Sequence, residues 1–82
     1  MVGNQSSDNA VANSAVLGQG ASVTAGLTGK NVVLGQGSTA TIGSQAGYSS
    51  FGLAAAQSSA GEVSVGTAGS RRKITNVAAG SA

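Results

Sequence analysis

A short pattern recurs four times along this chain: a small or branched residue, a spacer, a larger apolar residue and a glycine. It occurs at Ala15-Val16-Leu17-Gly18, Val32-Val33-Leu34-Gly35, Ser49-Ser50-Phe51-Gly52 and Val63-Ser64-Val65-Gly66. The larger apolar residue moves from 17 to 34 to 51 to 65, steps of 17, 17 and 14 residues. Such a unit is too short to be a domain and too long to be a helical heptad. Each copy reads as one turn of a coil, a rung, which buries its apolar side only when rungs stack on one another. The pattern predicts a solenoid, whose function is that of an extended surface.

Within a rung the residues alternate with the period of a β-strand. In Val32-Val33-Leu34, positions 32 and 34 point one way and 33 the other. The larger side chains assign Leu17, Val32, Leu34, Phe51, Val63 and Val65 to the inward core, together with Ile74 and Val77 further on. Glycine ends each strand, and a second short alternation follows in residues 19–25 and again in 36–42. Two short strands per rung make a flattened coil, with segments such as Leu27-Thr28-Gly29-Lys30 as outer turns of variable length. Helix is poorly supported, because Gly, Ser and Thr recur in every rung and no apolar set follows helical spacing.

Composition restricts how such a coil is held together. Of 82 residues only 16 are Leu, Ile, Val or Phe, which borders on the disorder-prone range. Yet charged residues are 7% of the chain, the net charge is +2 and there is no Pro, so the other half of the disorder signature is missing. There is no Cys and no His, and Asp8 and Glu62 are the two acids, so neither disulfides nor a metal reinforce the fold. Oligomerisation is the remaining route, and it is expected to be obligatory. The same inventory argues against an enzyme and against any cofactor, since no nucleophile–base pair or phosphate loop is visible; Gly18-Gln19-Gly20 reads as a turn.

The four cations include Arg71, Arg72 and Lys73 in one run, and the two aromatics are Tyr48 and Phe51. One basic cluster without a stacking platform argues against nucleic-acid binding. No stretch approaches the roughly 20 apolar residues of a membrane span, and the first residues have no signal-peptide form.

From Glu62 the text changes to EVSVGTAGSRRKITNVAAGSA. Val65-Gly66 and the run from Arg72 to Gly80, RKITNVAAG, resemble the neck of trimeric autotransporter adhesins. Upstream, residues 13–21 (NSAVLGQGA) and 30–38 (KNVVLGQGS) resemble the YadA-type head repeat NSVAIGxxS. The chain departs from that pattern at Ser49, Phe51 and Ser70, where the family favours Val, Ile or Val, and an acid. The resemblance implies an all-β fold: a left-handed parallel β-roll head with a C-terminal neck, in an intertwined homotrimer. It divides the chain into an N-terminal partial rung or frayed end (1–13), head repeats (14–61) and the last head strand with the neck (62–82). It further implies that signal peptide, stalk and membrane anchor belong to a longer parent protein.

By the same resemblance the expected function is attachment at the bacterial cell surface, outside the outer membrane. Expected partners are a host matrix protein of the collagen, fibronectin or laminin class, or a cell-surface glycan. A spacer with no ligand of its own is the alternative. Asn13, Ser14 and Ser38 are the candidate ligand-binding residues, against the simpler reading of turn formers. Arg71, Arg72 and Lys73 are candidates either for an acidic ligand or for fixing the neck, in part by pairing with Glu62, and the second reading is favoured because three chains would gather nine like charges.

Overall fold

The computed structural model describes residues 2–3 and 6–81; Met1, Asn4 and Gln5 of the expected N-terminal segment and Ala82 of the neck segment lie outside them. Among the described residues seven strands follow in order: β1 (Ser14–Leu17), β2 (Ser22–Val23), β3 (Asn31–Leu34), β4 (Thr39–Ala40), β5 (Gln45–Tyr48), β6 (Gln57–Ser59) and β7 (Val63–Ser64). No helix occurs among the described residues. The fold is all-β.

Parallel pairing of equivalent residues makes the stack. β1 pairs with β3 in the register Ala15 to Val32 and Leu17 to Leu34, and β3 pairs with β7 in the register Val32 to Val63. A second sheet joins β2 to β4, with Ser22 opposite Thr39. The coil extends one step before β1, where Val2 bridges to Leu17 and Ser7 to Ser22, both parallel. Between the sheets lie Val16 and Val33 from one layer, Val23 and Ala40 from the other, and Val11 and Ala21 from the connections.

The strands show the expected alternation, but the opposite face is inward. Val16 and Val33 are buried, whereas Leu17 is 49% and Leu34 39% exposed. Val63 is exposed and Val32 and Val65 are half-buried, so none of the six repeat residues assigned inward belongs to this chain's core. A period of two defines two faces without saying which is inside. Here the interior is thin. Its largest fully buried side chains are Val23, Val33, Asn31 and Ser38, and the longer leucines stand outside.

The third expected rung is not a rung. β3 pairs directly with β7, 31 residues from Val32 to Val63 against 17 from Ala15 to Val32. The additional residues form a hairpin in which β5 and β6 run antiparallel, Gln45 opposite Ser59. Phe51 sits at its turn, fully exposed, so the fit of residues 49–52 to the repeat is coincidental. The hairpin's base is tied to the outer turn of the preceding rung: Ser44 N donates to Thr28 O (2.9 Å) and Lys30 N to Ala60 O (2.7 Å). Gly61 permits the close approach there, since a Cβ at that position would collide with the carbonyl of Lys30.

Residues 71–81 have no regular structure and are exposed; Ile74 and Val77 are 66% and 70% accessible, against their inward assignment. Nothing among the described residues covers them.

Candidate head surface and neck junction

The turn between the two strands of a rung is built the same way twice. In Gly18-Gln19-Gly20-Ala21 the Ala21 amide donates to Gly18 O (3.2 Å), and in Gly35-Gln36-Gly37-Ser38 the Ser38 amide donates to Gly35 O (3.1 Å). The two turns stack: Gly35 N donates to Leu17 O and Gly37 N to Gln19 O, each at 2.8 Å. Gly18 has φ +139°, and a Cβ on it would lie 2.5 Å from the carbonyl carbon of Gly35. A side chain is excluded there by conformation and by space together.

Ser38 is fully buried at the place where Ala21 stands one rung earlier. Its hydroxyl donates to Leu34 O (2.7 Å) and accepts from Arg72 Nη1 (2.9 Å). A group enclosed and satisfied in this way is a fold element, and Ser38 is removed from the candidate ligand contacts. Asn13 remains at the surface, in a turn with φ +61°, where Asn is one of the few side chains tolerated. Ser14 is half-buried, and its hydroxyl reaches only Ala12 O, at 3.5 Å.

The three cations separate in role. Arg72 donates from Nη1 to Ser38 Oγ and to Val65 O (3.1 Å), and from Nη2 to Gln36 O (2.8 Å). Arg71 and Lys73 are exposed, and Arg71 borders an open groove of about 480 Å³ together with Thr39, Ile42, Glu62, Val63 and Val65. The Glu62 carboxylate accepts the Ile42 amide at 3.0 Å. It holds the chain where it re-enters the stack.

Asn31 is a structural residue that sequence reading passes over. It is buried, opposite Ser14 in the rung register. Its Oδ1 accepts the Glu62 amide (3.0 Å) and its Nδ2 donates to Thr28 O (3.3 Å), so one side chain joins the rung to the strand that follows the hairpin. The available signal was a polar residue directly before an apolar alternation, in the position that Ser14 occupies one rung earlier.

On the outer face of the three-stranded sheet, Val2, Leu17 and Leu34 stack in one row, and Ala15, Val32 and Val63 in the next. This face carries apolar side chains of which Val2, Leu17, Leu34 and Val63 are exposed. Among the described residues there is no cluster of three or more His, Cys, Asp or Glu that would hold a metal, and no helix long and apolar enough to cross a membrane.

No family model matches the chain. Over 42 residues, 51% of this chain and 3% of the relative, it is 55% identical to the autotransporter adhesin EhaG of Escherichia coli O157:H7. Its fold is similar to the C-terminal YadA-like domain of BPSL2063 from Burkholderia pseudomallei, with a TM-score of 0.62 and 32% identity, covering 94% of this chain and 36% of that one. The chain thus spans a small part of the adhesin and about a third of the solved domain. Stacked parallel rungs, glycine-ended strands and these two likenesses support a fragment of a trimeric autotransporter adhesin with a YadA-like fold.

Proposed function

We propose that this segment works as the head and neck of a surface adhesin: three copies associate, and their combined outer surface contacts a host matrix protein or cell-surface glycan. The apolar rows on the outer face of the three-stranded sheet carry this reading. Leu17 and Leu34 stand in register on a surface that a monomer would leave wet, and Ile74 and Val77 of the neck are equally uncovered. Three coils side by side, with left-handed winding and necks crossing between subunits, would cover both sets. Many weak contacts repeated along three chains would then bind a repetitive ligand through effective concentration. Asn13 on the turn before β1, the half-buried Ser14 that opens β1, and Arg71 and Lys73 at the neck are the side chains left available for contact.

The spacer reading has an observation of its own. Ser38, from the repeat motif, and Arg72, from the basic run, are both consumed in holding the fold. A rung whose characteristic side chains are internal is suited to setting length, with binding done elsewhere in a longer fibre.

Light scattering followed by capture on plates tests both. A species near three times 7.7 kDa that retains immobilised collagen, fibronectin, laminin or sulfated glycan supports the adhesive reading. A trimer that captures none of them supports the spacer. A monomer that persists when a trimeric coiled coil is fused after residue 82 overturns the assembly on which both depend.

A further inference from the structure

We propose that the last full turn of the coil ends in a guanidinium-binding socket, which Arg72 fills in place of the backbone of a further rung. Each turn of the coil receives backbone hydrogen bonds from the next. Leu17 O and Gln19 O accept the amides of Gly35 and Gly37 from the rung above. One rung later the chain takes a shorter path. Gly66 O accepts the Thr39 amide (3.0 Å), the part that Ser38 O plays toward Ser22 N (2.9 Å), and no four-residue turn spans the corner above Gly35-Gln36-Gly37-Ser38. The corresponding carbonyls are served by side chains instead: Leu34 O by the Ser38 hydroxyl and Gln36 O by Arg72 Nη2.

The corner fits a planar, forked cation. Its acceptors are Gln36 O, Val65 O and Ser38 Oγ, at 2.8, 3.1 and 2.9 Å from the two terminal nitrogens. Its floor is Gly35, where a Cβ would lie 3.0 Å from Nη1 and 3.1 Å from Cζ, so the guanidinium rests on a face that carries no side chain. Reciprocal bonds between Thr67 and Ser70 turn the chain back and bring Arg72 to the site. Ser38, where the preceding rung has Ala21, supplies a hydroxyl at the turn that the arginine covers. Lysine offers one point charge and cannot serve two directions from a plane. Filled in this way, the socket ties the irregular neck to the head and closes a row of backbone acceptors that would otherwise remain an open edge.

Hydrogen exchange on the full chain tests the proposal through the Gly37 and Ser38 amides, which lie in the socket's own turn. R72A is expected to speed their exchange about tenfold or more, the effect of removing charge-assisted hydrogen bonds, while R71A leaves it unchanged. R72K is expected to behave like R72A, and ethylguanidinium, but not ethylammonium at the same concentration, to restore protection in R72A. Unchanged exchange in R72A, protection by R72K equal to the parent, or equal rescue by the two cations would each overturn the proposal. Should R72A fail to fold, R72K with the same comparison of cations decides the matter.

Discussion

Neighbouring residues of β3 have opposite surroundings, and that sets the sharpest test of the fold. Val33 is fully buried and Leu34 faces outward. V33D is expected to abolish the β circular-dichroism signal, because an unpaired charge between the two sheets costs several kcal/mol. L34D is expected to keep that signal and to lose assembly, read as mass by light scattering. The reverse result would restore the larger residues to the interior. S38A removes a hydroxyl that Leu34 O and Arg72 both use, and is expected to lower unfolding free energy by about 1–3 kcal/mol in denaturant titration. A21S, the same change in reverse one rung earlier, brings no arginine with it and adds a hydroxyl to a fully buried position.

At the scale of elements, the hairpin is an insertion into a stack that continues without it. β3 and β7 pair in the register a direct successor rung would have. Replacing residues 46–58 by a two-residue turn is therefore expected to retain the parallel sheet, with a change in thermal midpoint of only a few degrees. Collapse of the β signal would mean that the hairpin organises the fold. G18A tests the opposite case, an element with no tolerance. A Cβ there meets the backbone of the next rung, and the variant is expected to lose about 2–4 kcal/mol through positive φ and steric overlap together. The stacking of Gly18 on Gly35 makes each glycine a condition for its neighbour's hydrogen bonds.

The whole molecule is open for its length. Its radius of gyration is 13.6 Å, against about 12 Å for a compact chain of this size. Its accessible surface is 5687 Å², against about 4,300 Å² for a monomer of this mass. The excess includes the outer leucine row and residues 71–81, the surfaces that the proposed three-fold association would cover. I74S together with V77S is accordingly expected to reduce a trimer to monomers in light scattering while the head stays β-rich. A trimer of unchanged mass would assign assembly to the leucine row alone.

By itself the sequence determined the two rungs that contain β1–β2 and β3–β4, their two-strand form and the need for glycine at 18 and 35, because those follow from local alternation and from backbone conformation. It also carried the resemblance to trimeric autotransporter adhesins, through the rung motif and RKITNVAAG read together. Which face of the strands lies inside was decided by the tertiary structure: alternation is symmetric, and only the narrow space between the two sheets, filled by Val, Ala, Asn31 and Ser38, expels the leucines. That residues 49–52 belong to a hairpin was likewise invisible, since a strand pairs with whatever neighbour the register brings, and four residues of pattern carry no partner. The separate duties of Arg71, Arg72 and Lys73 came last of all. Identical charges in a row are distinguished only by where the folded chain delivers each one, and a single turn at Thr67–Ser70 delivers Arg72 to the open corner of the coil.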